Sequence, residues 1–165
     1  MKRVSRDILK SMQSTDYDFL EIPNCENEYY MKFTVKEGLY SNQIHVIHIK
    51  LEYGRSPDLY FYPLHPPLCT MMTPIWHPNI DTSGIICVDN LKNEGWIPKM
   101  TIDNIFTTMT LLLLEPNPDS PQNALAGSQY IDDYELFKNT TTTYYSDNNG
   151  EKKVNEIISN TNFLC

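Results

Sequence analysis

Tyr29, Met31, Phe33 and Val35 alternate with Tyr30, Lys32, Thr34 and Lys36. An apolar residue at every second position puts one face of an extended strand in a core and the other in water. After a turn marked by Gly38 and Ser41-Asn42 the same period returns, with Ile47, Ile49, Leu51 and Tyr53 interleaved by His48, Lys50 and Glu52. Two such strands joined by a short turn pair antiparallel. Their shared apolar face needs a cover, and residues 102–113 offer one. There Ile102, Ile105, Phe106, Met109, Leu112 and Leu113 recur at helical spacing. Thr101 is placed to cap this helix, Asp103 suits its first turn, and Pro116 stops it near Glu115.

The remaining segments fit around that pair. Val4, Ile8 and Met12 predict a helix over residues 3–14, and Asp18 to Ile22 predicts a short strand. Gly54 to Asp58 reads as a turn, Pro63, Pro66 and Pro67 as a rigid extended crossing, and Leu68 to Thr73 as a further strand. A third helix is expected from Asn123 to Asn139 with Leu125, Tyr134 and Phe137 inward. A fourth is expected over Glu151 to Ile158 through Val154, Ile157 and Ile158. Residues 146–165 form a C-terminal helix or tail. With 165 residues and no internal repeat or linker, the chain reads as a single domain over 1–165. The expected class is α+β: an N-terminal helix, an antiparallel four-stranded sheet, a central helix and C-terminal helices.

The net charge of −8 argues against nucleic acid as a partner, because phosphate binding needs clustered cations. Lys2, Arg3, Arg6 and Lys10 do cluster, a pattern suited to an acidic protein surface or simply to a solvated helix face. None of the four cysteines, Cys25, Cys69, Cys87 and Cys165, sits in a paired Cys-x-x-Cys spacing, so no metal is expected. The segment MKRVSRDILK has no apolar run, and the run Leu111 to Leu114 is too short to span a membrane. These features predict a chain without membrane attachment, in a reducing compartment such as the cytoplasm or nucleus, and a monomer is the default where nothing in the sequence fixes the oligomeric state.

From Thr73 to Thr101 periodicity fades, and long irregular stretches in compact domains tend to carry function. Cys87 lies there, preceded by Gly84 and followed by Asp89 and Asn90. A single cysteine is more often a small buried hydrophobe than a nucleophile. Its surroundings shift that balance. His77-Pro78-Asn79, then Gly84, then Ile86-Cys87, resembles the signature of ubiquitin-conjugating enzymes. Three further segments agree in order: Tyr62-Pro63-Leu64-His65-Pro66-Pro67, Trp96-Ile97-Pro98, and Glu115-Pro116-Asn117-Pro118-Asp119-Ser120-Pro121. The chain departs from the family pattern where Lys36 to Asn42 replaces a Gly-Pro-rich segment.

The resemblance implies that Cys87 takes ubiquitin from a ubiquitin-activating enzyme as a thioester. Transfer to a lysine of a protein substrate would follow, with a ubiquitin ligase of RING or HECT type, and no cofactor is implied. Thioester exchange is nearly isoenergetic, so an ordinary thiol suffices. Amine attack builds charge on the carbonyl oxygen, and Asn79 is a candidate donor to it; its alternative role is to tie the loop together. His77 is expected to order the turn through its ring, and Pro78 to fix φ there. Asp89 and Asp119 are candidates for orienting the incoming lysine, with Ser120 at the family's gate position. Arg3, Arg6, Leu64 and Pro98 match the surface that holds ligases and the activating enzyme. Asn104, Thr107, Thr108 and Leu111 share a helix face that could seat folded-back ubiquitin. The alternatives are a carrier for another ubiquitin-like protein, a catalytically silent ubiquitin-binding module of the same fold, and a thiol hydrolase using Cys87 with His77.

Overall fold

The computed structural model describes residues 2–55 and 58–161. The chain runs α1 (Lys2–Met12), β1 (Asp18–Glu21), β2 (Glu28–Phe33), β3 (His45–Lys50), β4 (Glu52–Arg55), β5 (Asp58–Phe61) and β6 (Leu68–Met71). It continues with α2 (Ile102–Leu114), α3 (Ala124–Asp132), α4 (Tyr134–Asp147) and α5 (Gly150–Thr161). A four-stranded sheet has the order β1-β2-β3-β6, antiparallel throughout. The expected α+β architecture is therefore present.

The period-two pattern sets the register. Met31 faces Ile47 and Tyr29 faces Ile49, so the apolar positions of both strands point the same way. Phe19, Met31, Phe33, Ile47, Ile49 and Met71 form the inner face. Against it pack Ile102, Ile105, Met109, Leu112 and Leu113 of α2, all buried. Val4 and Ile8 of α1 lean on the same core. The backbone N–H of Thr101 donates to the Asn104 side-chain oxygen at 2.8 Å, closing the start of α2. The outer face is partly covered by α5, whose Val154 and Ile157 cluster with Val46.

Two expectations are corrected here. The alternation from Ile47 to Tyr53 is not one strand: β3 ends at Lys50, and β4 pairs instead with β5 in a separate hairpin. The backbone N–H groups of Leu51 and Tyr62 bond to Asn27 and Leu51 carbonyls at 2.8 Å, which turns the chain out of the sheet. The turn expected over Gly54 to Asp58 includes residues 56–57, which lie outside the described residues. The helix expected over Asn123 to Asn139 is two helices, because the Asp133 side chain accepts from the Leu136 N–H and starts a new one.

The second of those helices reaches Asp147, through a run of threonines whose β-branching disfavours helix. Thr140, Thr142 and Thr143 bond back to the carbonyls of Leu136, Lys138 and Asn139, while Thr141 and Tyr145 are buried. Of the inward residues expected here, Phe137 is buried, but Leu125 is 60% and Tyr134 49% exposed. The small face of α3, Ala126 and Gly127, is inward in place of Leu125. A Cβ on Gly127 would stand 2.7 Å from Pro121, so this glycine is what lets α3 close on the proline-rich loop.

Candidate active site

The segment from Ile75 to Cys87 is fixed by backbone bonds rather than by regular structure. Isolated bridges join His77 to Ile80 and Ile80 to Ile86, and Ile80 is fully buried. The Asp81 carboxylate accepts from the N–H groups of Ser83 and Ile85 and from the Ser83 hydroxyl, which holds it below the usual carboxylate range. Gly84 adopts φ +88°, and a Cβ there would lie 2.1 Å from the Met71 carbonyl oxygen. Only glycine fits, and its carbonyl accepts from the Met71 N–H at 2.8 Å. The chain thus leaves the sheet edge in one path, and Cys87 follows with its N–H bonded to the Asn79 carbonyl at 2.9 Å.

His77 is a fully buried staple. Its Nδ1 accepts from the Asn79 N–H at 2.9 Å, and its Nε2 lies 2.9 Å from the Leu112 carbonyl, which assigns the proton to Nε2. Burial lowers its pKa to about 4, so the ring is neutral. The carbonyl of Pro78 accepts from the Asn123 N–H at 2.8 Å, tying the turn to the start of α3. Asn79 is 3% exposed and bridges to the proline-rich loop at both ends of its amide. Nδ2 donates to the Asn117 carbonyl at 2.7 Å, and Oδ1 accepts from the Asn117 N–H at 2.8 Å. One hydrogen of the amide is committed to this bridge; the other is the one a substrate oxygen could take.

Cys87 is half-buried and opens into a groove of about 320 Å³ lined by Asn79, Val88, Asp89, Asn90, Lys92, Leu112, Asn117 and Ser120. Ser120 borders the groove, whereas Asp119 is exposed on the loop with its N–H held by the Asn117 side chain at 3.0 Å. Asp89 is exposed and pairs with Lys92 at 3.0 Å. The other described cysteines differ. Cys25 is exposed on the β1–β2 turn, and Cys69 is buried with burial pushing its thiol up to about 12. Cys165 lies outside the described residues.

A second surface is assembled by the aromatic motifs. The Tyr62 hydroxyl donates to Asp7 at 2.6 Å and lies 3.3 Å from the Met100 carbonyl, to which Arg3 also donates at 3.0 Å. Burial, and then the Asp7 contact, raise the Tyr62 pKa. The Trp96 indole donates to the Pro63 carbonyl at 2.9 Å. These bonds lock α1 to both loops and leave Leu64 56% and Ile97 53% exposed, beside exposed Pro98. Arg6 is exposed, while Lys10 is paired with Asp103. Ile97 and Lys92 were not singled out from the sequence. Ile97 was legible as the middle of Trp-Ile-Pro; Lys92 had no pattern of its own. On α2, Asn104, Thr107 and Leu111 are exposed and Thr108 half-buried, a continuous outward face; Asn104 also serves the helix start.

The sequence model of the family described as "Ubiquitin-conjugating enzyme" matches residues 3–145. The chain belongs to the ubiquitin-conjugating enzyme family. It is similar to ubiquitin-conjugating enzyme E2 27 of Arabidopsis thaliana, 36% identical over 102 residues that cover 59% of this chain and 53% of that protein. It is similar to ubiquitin-conjugating enzyme E2 T of Mus musculus, 46% identical over 72 residues covering 42% of this chain and 35% of that one. The matches thus span about half or less of these curated relatives. A ubiquitin-conjugating E2 domain of Toxoplasma gondii superposes with a TM-score of 0.74 at 26% identity, covering 88% of this chain and 96% of its own. The family match ends at Tyr145, before α5 begins at Gly150.

Proposed function

We propose that this chain carries ubiquitin as a thioester on Cys87 and hands it to a lysine amine of a protein substrate. Charging exchanges one thioester for another: the Cys87 thiolate attacks the acyl carbon held by the activating enzyme, whose thiolate leaves. Discharge forms a C–N bond, breaks the C–S bond, and releases the amine proton to solvent. The observation that carries this reading is the placement of Cys87. Among the described cysteines it alone lies half-buried in a groove with amide and hydroxyl groups around it. A groove shared with Asn79 and Ser120 is what an acyl carbonyl and an extended C-terminal tail require; the exposed Cys25 borders a separate hollow among Glu21, Asn24 and Glu26, and the buried Cys69 lacks access.

Asn79 braces the loop through Asn117 and, with its remaining amide hydrogen, donates to the oxyanion during amine attack. Ser120 borders the path of the incoming lysine, and Asp89 and Asp119 supply negative charge nearby. Leu64, Ile97 and Pro98 with Arg6 form the face for a RING or HECT ligase and the activating enzyme. Asn104, Thr107, Thr108 and Leu111 seat ubiquitin against α2. The engagement of both His77 ring nitrogens argues against a Cys–His hydrolase. Mixing the protein with activating enzyme, ATP and ubiquitin tests the reading. A band that runs higher on a non-reducing gel, vanishes with reductant and is absent for Cys87→Ala is expected; no such band with ubiquitin or any ubiquitin-like protein would overturn it.

A further inference from the structure

The basic stripe of α1 has an acidic counterpart elsewhere on the same chain. A hollow of about 540 Å³ opens where the β1–β2 turn meets β4, β5 and β6. Its apolar part is Leu59 and Leu68, both exposed. Around them stand three carboxylates, Glu26, Glu28 and Glu52, and one ammonium, Lys50. Glu28 takes that ammonium and also the His48 ring. Glu52 accepts from the neutral Asn27 amide at 3.3 Å, and among the described residues neither it nor Glu26 pairs with a cation. The hollow therefore presents two exposed leucines flanked by two carboxylates that want a positive partner.

The outward face of α1 is its complement. Val4 and Ile8 hold that helix on the core, and Asp7 and Ser11 are buried beside them. Helical spacing then puts Lys2, Arg6, Leu9 and Lys10 on one stripe facing solvent, about 12 Å long at 1.5 Å per residue. Lys10 is taken by Asp103. Lys2 and Arg6 pair with no carboxylate among the described residues, and Leu9 beside them is 60% exposed. Two cations and a leucine thus stand on one surface, and two carboxylates and two leucines on the other. The stripe cannot turn to the hollow of its own chain without unpacking Val4 and Ile8, so the two surfaces meet only between copies.

We propose that the α1 stripe of one copy docks in the hollow of a second copy, with Lys2 and Arg6 against Glu26 and Glu52 and with Leu9 against Leu59 and Leu68. The two surfaces differ, so the contact is head-to-tail and leaves a free stripe at one end and a free hollow at the other. It is small, so association is weak and reversible. Arg6 also belongs to the face proposed for the activating enzyme, so a docked copy competes with charging; that consequence rests on the thioester reading, and the association does not. Sedimentation equilibrium of the 165-residue chain tests it, with reductant present so that exposed Cys25 does not cross-link copies. Salt at about 0.15 M screens the −8 charge of each copy beyond about 8 Å. Between about 10 µM and about 1 mM protein, the weight-average mass should climb past that of a dimer without a plateau. Arg6→Glu and Glu52→Arg should each lower the association constant about tenfold, and the chain carrying both changes should recover to within about threefold of the wild type. Both positions are exposed, so the far-UV circular dichroism of each variant should match the wild type. A single-chain mass up to about 1 mM, or a charge swap that fails to recover association, overturns the proposal. A mass that levels off at a dimer and ignores Arg6→Glu puts the contact on another surface and overturns it as well. Failure of charging in the wild type would instead sink the ubiquitin reading and leave the sedimentation result standing.

Discussion

Replacing Asn79 with alanine separates two jobs that the structure assigns to one side chain. The amide makes two hydrogen bonds to the Asn117 backbone, at 2.7 and 2.8 Å, from a position 3% exposed to solvent. Each is worth about 0.5–1.5 kcal/mol net, and water can reach the exposed Asn117 backbone once the bridge is gone, so the loss should be about 2 kcal/mol. For a chain of this length that lowers Tm by about 4–8 °C. The chemical job is larger. Loss of one oxyanion donor typically costs about 10²–10³ in rate, which is about 2.7–4 kcal/mol of transition-state stabilisation. Thermal unfolding by circular dichroism reads the first effect. Single-turnover discharge of the charged protein onto free lysine, well below the lowered Tm, reads the second. Charging itself should survive, since a thiolate is a stronger nucleophile than an amine. An unchanged Tm would refute the bridge, and discharge at the wild-type rate would refute the donor.

Further outcomes follow from the same geometry. His45 and His77 are fully buried, and burial lowers both to about 4 against an unfolded value of 6.5. Because the unfolded chain takes up protons first, their stability is whole above about pH 6.5 and drains as pH falls towards 4. Between pH 7.5 and pH 5 each should cost about 2 kcal/mol, and urea melts of His45→Leu should show a pH-dependent loss smaller by about that amount. Gly84→Ala should destabilise by about 2 kcal/mol or more, since its Cβ meets the Met71 carbonyl at a positive φ. The same variant should lose alkylation selectivity at Cys87. Ile97→Ala and Leu64→Ala should slow ligase-stimulated discharge about tenfold or more each and also slow charging by the activating enzyme, which shares that face, while unassisted discharge of the charged protein onto free lysine stays at the wild-type rate.

Much of the sheet and the central helix could be read from periodicity alone, because Met31, Ile47 and Met109 obey the spacing that burial demands. The break at Leu51 could not, since it depends on carbonyls from the β1–β2 turn and on a hairpin that forms elsewhere. The threonine run of α4 hid a helix whose support is tertiary, through Thr141 and Tyr145. In the site, the motifs around Cys87 and Asn79 were legible as residues, but not as geometry. That Asn79 reaches Asn117, that His77 faces Leu112, and that Lys92 shares the groove with Cys87 are long-range facts of folding. Lys92 was invisible in sequence for a simple reason: it lies in a turn, and nothing in its spacing marks which way a turn residue faces.

The acyl bond at position 87 is the point on which the account turns, and a stable trap reads it directly. Cys87→Lys replaces the thioester with an isopeptide that survives denaturation and digestion. After incubation with activating enzyme, ATP and ubiquitin, tryptic mass spectrometry should find a Gly-Gly remnant at position 87. A remnant confined to other lysines, or a wild-type thioester that persists in Cys87→Ala, would contradict it.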